Sequence, residues 1–253
     1  MGKSKNIWSI LACVIIFGFW HFFSLLYGNN KLPSPVSVYK GLIEIAVIGL
    51  PPGNILWGHL FASLYRVLVG FFVASAIAIP LGLLMGFIEW VRALLNPIVE
   101  TLRPIPPLAW VPLAILWMGI GNPSAIFIIG LGTFFPVLLN TISGVENTPK
   151  TLVETAYTLG AKQSDVVVKV IFPGAFPAIF TGLRIGLDIG WMTLVAAEFT
   201  GIRSGYGLGY MIMVARDLQR ADQIMAGMVV IGLLGYIFDF TWRQLEKRVL
   251  QWR

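Results

Sequence analysis

Residues 154–174 read "ETAYTLGAKQSDVVVKVIFPG". Glu154, Lys162, Gln163, Ser164, Asp165 and Lys169 fall within sixteen residues, and apolar runs stand on either side. The 253-residue chain is 57% hydrophobic and 12% charged, about half the usual charged share. Mean hydropathy is +0.81. A soluble domain of this size could not keep so much apolar surface in solution, so the bilayer is the natural solvent. The polar stretch therefore needs a reason to exist.

Working outward from it, six runs read as spans, at about 7–27, 64–88, 105–121, 124–145, 175–199 and 224–243. Crossing a bilayer takes roughly 20 apolar residues per helix. The runs are continuous and lack the alternation of a membrane β-barrel, so the fold class is an all-α polytopic membrane protein. The third run is the weakest: "RPIPPLAWVPLAILWMGIG" (103–121) holds four prolines and predicts a broken helix. Prolines at that depth are tolerated where protein or a cavity covers the freed backbone groups. Lys3 and Lys5 precede a run too long for a signal peptide, with no small-x-small cleavage site after it, which predicts a retained first span. Between the first two spans, "NNKLPSP" is turn chemistry. "VSVYKGLIEIAVIGL" then reads as a short outer helix near the interface, because Lys40 and Glu44 interrupt it. No strong internal repeat or linker divides the chain, so residues 1–253 read as one membrane domain.

Charge sets the orientation. With six spans, Lys3, Lys5, Arg92, Lys150, Lys162, Lys169, Arg243, Lys247, Arg248 and Arg253 share one side, which should be cytoplasmic. The opposite side holds Lys31 and Lys40, then Arg203, Arg216 and Arg220 diluted by Asp217 and Asp222. The net charge of +6 is explained by this topology better than by nucleic-acid binding. Cys13 is the single cysteine, so an intrachain disulfide and a Cys-based metal site are excluded. His21 and His59 form no ligand motif.

The opening stretch then lies in the cytoplasm. Thr148 is a candidate N-cap with Pro149 at the first helical position. Leu152, Ala156 and Leu159 share a face, and Gly160 fits a left-handed C-terminal position. Ser164 is placed to cap a second short helix, "DVVVKVIF", which Pro173 should end. Two short amphipathic helices about a glycine turn suit a groove on another protein.

This stretch resembles the EAA loop of ATP-binding cassette (ABC) importer permeases, whose pattern is Glu-Ala-Ala-x-x-x-Gly, nine further positions, then Ile-x-Leu-Pro. Here it reads Glu154-Thr155-Ala156, Gly160 and Val170-Ile171-Phe172-Pro173, within a loop of about 147–173. Thr155, Val170 and Phe172 depart mildly, and a small Thr155 still allows close packing. Within these permeases the chain is most similar to the sulfonate, nitrate and taurine branch. The carrying segments are "LPSPVSV" (32–38), "SLYRVLVGF" (63–71), "IPLGLLMG" (79–86), the proline-rich segment 103–121, "PGAFPAIFTGLRIGLDIGWMTLVAAEF" (173–199) and "GLGYMI" (207–212).

The resemblance implies a type I (MetI-like) importer fold with a permease core of about 60–245. It implies a second permease subunit, expected to be another copy, and a cytoplasmic ABC ATPase dimer that binds ATP and Mg. It also implies a periplasmic or lipid-anchored binding protein. The chain itself would bind no cofactor and no metal and catalyse no reaction. Glu154, Thr155, Ala156, Gly160 and Pro173 would form the coupling joint to the ATPase, with Glu154 the polar contact. The setting would be a bacterial inner membrane, both termini cytoplasmic. The substrate class would be a small anion: taurine, another alkanesulfonate, or nitrate.

Candidate pathway residues follow from polarity and bulk inside the spans: Trp110, Arg184, Asp188, Trp191 and Glu198. Arg184 and Asp188, four apart on one helix face, are expected to pair with each other. A snorkelling Arg184 near the cytoplasmic end and a contact to an anionic substrate are the other readings. Glu198 ends span five, as a gate, an interfacial hydrogen bond or a plain helix-end residue. Arg66 opens span two and is expected to snorkel outward. Gly182, Gly186 and Gly190, at spacing four, predict close helix packing, with a dimer interface one candidate place for it.

Other function classes lack their marks. A secondary transporter would show paired broken helices and inverted repeats. A membrane protease would show HExxH or GxSxG. A channel would show a carbonyl filter or charge ring. The chain also has no GxxxxGK[ST] phosphate loop, which fits an ATPase on a separate chain.

Overall fold

The computed structural model describes residues 2–28, 31–50, 53, 55–199 and 205–249. Arg203 and Arg253, expected on opposite sides of the membrane, lie outside these described residues. The described residues form α1 (Gly2–Tyr27), α2 (Pro35–Val47), α3 (Leu56–Phe87), α4 (Glu89–Leu102), a 3₁₀ turn at Pro107–Trp110, and α5 (Val111–Met118). Then come α6 (Asn122–Glu146), α7 (Lys150–Thr158), α8 (Gln163–Val166), a π turn at Val167–Ile171, α9 (Phe172–Phe199), α10 (Leu208–Asp217) and α11 (Ala221–Val249). Among the described residues, four helices are long and apolar enough to cross a membrane: Leu56–Phe87, Asn122–Glu146, Gln163–Phe199 and Ala221–Val249. Leu11–Tyr27 and Pro107–Met118 are shorter apolar helices.

The chain packs as two units. One comprises Met1–Ala62 and Gly205–Leu234. In it, Ser34 caps α2 by accepting a hydrogen bond from the Ser37 amide (3.2 Å) with Pro35 at the first turn, so the expected short helix forms. Trp20 Nε1 donates to the Pro33 carbonyl at 3.0 Å. The buried His59 ring sits 2.9 Å from the Gly207 carbonyl through Nδ1 and lies against Tyr206 and Tyr210. Arg220 reaches Glu44 Oε2 at 2.5 Å and Asp222 Oδ2 at 2.9 Å.

The second unit comprises Ser63–Ser204 and Gly235–Arg253. Its centre is α6 against α9. Gly182, Gly186 and Gly190 do mark close packing, and the neighbour is α6 of the same chain. A Cβ at Gly186 would lie 2.9 Å from Val137 Cγ2 and 3.1 Å from the Thr133 carbonyl. Thr133 Oγ1 donates to the Gly186 carbonyl at 3.0 Å, a bond that needs this approach. Ala78, Met85, Val99, Val137, Leu138 and Ile142 form a core shared by α3, α4 and α6.

Several boundaries differ from expectation. α3 starts at Leu56 rather than near 64, because His59, Ser63 and Arg66 are buried inside the helix rather than marking its edge. The proline-rich run does break. Its helical part, α5, has eight residues, about 12 Å of rise against a hydrocarbon core of about 30 Å. The amphipathic α4 occupies what reads as a loop after span two, and an ion pair between Arg92 and Glu146 ties it to the end of α6.

Candidate functional site

The polar stretch folds as α7, a glycine turn and α8. Gly160 has φ +81°, and the Ala161 amide reaches back to the Ala156 carbonyl at 3.0 Å, as a left-handed helix stop requires. Two capping expectations are corrected. Pro149 occupies the N-cap of α7, while Thr148 is buried and donates its hydroxyl to the Gly144 carbonyl at 3.1 Å. Lys162, not Ser164, precedes α8, with no side-chain cap. Pro173 does not end the second helix either. It is the second residue of α9, and the π turn before it carries the helix through.

One face of the pair is anchored. Val153, Ala156 and Ala161 pack on a core of Val145, Val166, Ile171, Ala175 and Ile179. The other face is bare: Leu152 is 54% exposed and Leu159 82%, with Tyr157 and Glu154 also exposed. Thr155 is exposed and donates its hydroxyl to the Thr151 carbonyl at 2.6 Å.

The five pathway candidates do not gather. Glu198 is fully buried, accepting from Arg66 Nη1 at 2.5 Å and Ser63 Oγ at 2.7 Å, while Arg66 Nε donates to Asn122 Oδ1 at 2.8 Å. Arg66, 1% exposed, therefore does not snorkel; it joins the first half of α3 and the start of α6 to the end of α9. Arg184 pairs with Asp239 Oδ1 at 2.6 Å on α11, not with Asp188. Asp239 in turn holds Arg243 at 2.7 Å. Trp191 is buried edge-on to Phe238, with Gly235 beneath its indole.

Trp110 alone among the five lines an open cavity of about 370 Å³ between the broken segment and the middle turns of α6 and α9. Its other walls include Arg103, Phe135, Asn140, Ile185 and Ile189. Neither Arg103 nor Asn140 is among the sequence candidates. The one signal for Arg103 is its place at the head of the proline-rich segment.

Long apolar helices around a close-packed pair, with an amphipathic helix pair presenting a bare apolar face, define a membrane component that a separate protein can engage. The chain belongs to the family of binding-protein-dependent transport system inner membrane components, whose model matches residues 78–251. It is a permease subunit of an ABC importer, a transport component rather than an enzyme. It is 45% identical over 230 residues to a putative ABC transporter permease of Methanocaldococcus jannaschii, covering 90% of this chain and 85% of that one. It is 42% identical over 224 residues to the taurine transport system permease TauC of Escherichia coli (87% and 80%). With the nitrate import permease NrtB of Synechocystis it shares 34% over 252 residues (97% and 90%). The fold matches that of the MetNI methionine ABC transporter in an inward-facing conformation, with a TM-score of 0.66 and 22% identity over 77% of this chain and 97% of that one.

Proposed function

We propose that this permease moves a small anion, taurine or another alkanesulfonate or nitrate, into the cytoplasm, driven through the α7–α8 pair by a cytoplasmic ATPase dimer. The names of TauC and NrtB support the substrate class. One observation carries the coupling role: α7 is anchored by Val153 and Ala156 yet leaves Leu152 and Leu159 uncovered. Such a face fits a groove on a partner. Glu154 supplies the polar contact, and Gly160 sets the bend between the two helices. Thr155 and Ala156 keep the helix slim, and Pro173 starts the membrane helix that the joint moves. ATP and Mg bind on the ATPase, and this chain holds no cofactor.

In the assembly, two copies of this chain pair within lipid, both termini face the cytoplasm, and a periplasmic or lipid-anchored binding protein delivers the anion. The whole chain works as one permease domain. Trp110 and Asp188 line the route, while Arg184, Trp191 and Glu198 hold its helices in register. The test is ATPase activity of the reconstituted permease–ATPase complex with taurine-loaded binding protein. Stimulation in the wild type, lost in Glu154→Arg while the complex still assembles, is expected. Normal coupling in Glu154→Arg would overturn the joint.

A further inference from the structure

We propose that the cavity beside the broken segment is a transit site for the anionic head group of the substrate, with Arg103 as the anion acceptor and Asn140 as a second hydrogen-bond donor. This rests on the importer reading and assigns the place in the membrane where the anion pauses. Four observations converge on it.

The cavity lies against residues 131–140 of α6 and 185–189 of α9, the middle turns of two spanning helices. A guanidinium at that depth is costly unless it faces a water-filled cavity or a partner. Among the described residues, Arg103 is the only charged side chain lining this one. It pairs with Glu100 at 3.2 Å within the same stretch, and both side chains are about half exposed; such a pair is weak and readily exchanged.

Asn140 donates one amide hydrogen to the Pro136 carbonyl at 2.8 Å. That bond fixes the amide plane and leaves its second hydrogen and its carbonyl oxygen to serve a ligand. The second hydrogen suits a sulfonate or nitrate oxygen, and the carbonyl suits the ammonium of a zwitterion such as taurine. Trp110 and Phe135 supply apolar wall. The volume, about 370 Å³, is near the lower end of small-molecule sites, so it fits a small solute.

The backbone agrees. Residues 103–106 are non-helical, and Pro107–Trp110 is a 3₁₀ turn. Irregular backbone at membrane depth is found where it lines a cavity or is buried in protein. A planar guanidinium can take two oxygens of a sulfonate or nitrate at once, which an ammonium cannot.

The experiment measures uptake of radiolabelled taurine, and separately of nitrate, into proteoliposomes holding the permease, its ATPase and its binding protein. The anion each system carries in the wild type is used for the variants Arg103→Gln, Arg103→Lys and Ile185→Trp. Half-saturation for Arg103→Gln should rise roughly 10- to 100-fold, the loss of a charge-assisted hydrogen bond. Arg103→Lys should recover part of the affinity, because it keeps the charge and loses the fork. Ile185→Trp adds bulk at an exposed position of the cavity wall and should lower the maximal rate while the complex still assembles.

Wild-type half-saturation in Arg103→Gln, or unhindered flux in Ile185→Trp, would overturn the proposal. Failure of loaded binding protein to stimulate the wild type would instead overturn the importer reading on which it rests. A lipid phosphate offers Arg103 similar chemistry, so each measurement is repeated in phosphatidylcholine alone and with phosphatidylglycerol. A defect seen only with the anionic lipid would assign Arg103 to the lipid and also overturn the proposal.

Discussion

Replacing Glu198 by Leu should destabilise the protein severely, and Arg66→Leu added to it should restore much of the loss. Both side chains are essentially inaccessible, at 0% and 1% exposure, with a 2.5 Å contact between them. Removing one member of a buried ion pair costs about 3–5 kcal/mol, because the surviving charge keeps its desolvation penalty and loses its counter-charge. At about 2–4 °C per kcal/mol for a chain of this size, the melting temperature should fall by roughly 6–20 °C. Replacing both charges with apolar groups of similar bulk removes the penalty on each side, so the double variant should melt well above either single one. The assay is thermal unfolding in detergent, followed by intrinsic tryptophan fluorescence, for the four corners of the cycle. Additive losses in the double variant, or a Glu198→Leu melting point within about 1–2 °C of wild type (under about 1 kcal/mol), would refute the claim that the pair acts as a buried unit.

Gly160→Val should uncouple hydrolysis from uptake. A Cβ at this position would meet no neighbour within 4 Å, so the cost comes from φ +81° alone, roughly 1–2 kcal/mol or more for a β-branched residue. Asn there should restore most of the coupling in the same uptake assay. Gly144→Ala should lower the melting temperature, since the new Cβ would lie 2.9 Å from the Ala175 carbonyl and 2.8 Å from Ala178 Cβ, an overpacking of about 1–3 kcal/mol. Gly232→Ala, with nothing within 4 Å, should be neutral or slightly stabilising. The hydrogen bond from Arg220 holds the Glu44 carboxyl below its ordinary range, so its contribution to stability is complete at neutral pH and is lost as pH falls through that lowered value. Melting curves between neutral and acidic pH should therefore show a smaller acid loss in Glu44→Gln than in wild type.

Local chemistry decides what is legible in the sequence. Gly160 needs only a backbone sign, and α2 only Ser34 followed by Pro35. Four long spans need only hydropathy. Partner choice across helices is what escapes. Arg184 and Asp188 have ideal intrahelical spacing, yet the guanidinium reaches Asp239, which α11 brings to 2.6 Å. Intrahelical spacing predicts that two groups can meet; it says nothing of a third group carried in from 55 positions away. Arg66 looks like a snorkelling residue for the same reason. Its carboxylate is 132 positions distant, and without that partner a charge so close to the start of a span has no visible reason to turn inward. Helix α4 is hard to see because its apolar stripe is interrupted by Asn96 and Pro97 and never makes a continuous run.

Pro173 shows how a correct local rule can give a wrong element. A proline inside a helix removes a donor and crowds the preceding turn. Reading "IFPG" as a stop is therefore sound locally. The structure meets the steric demand differently: over Val167–Ile171 the turn widens, and the Phe172 amide bonds the carbonyl five residues back, on Val167. Such π turns absorb a register change inside an otherwise regular helix. Gln163–Phe199 thus runs as one apolar helical segment of 37 residues, about 55 Å at the usual rise. The second helix of the polar joint, α8, and the helix that carries Glu198 are then parts of the same rod. A glycine turn precedes one end of that rod and a buried ion pair lies at the other, with α6 packed against the length between them. The sequence marks both in polar or flexible residues, while the continuity between them is hidden behind a proline.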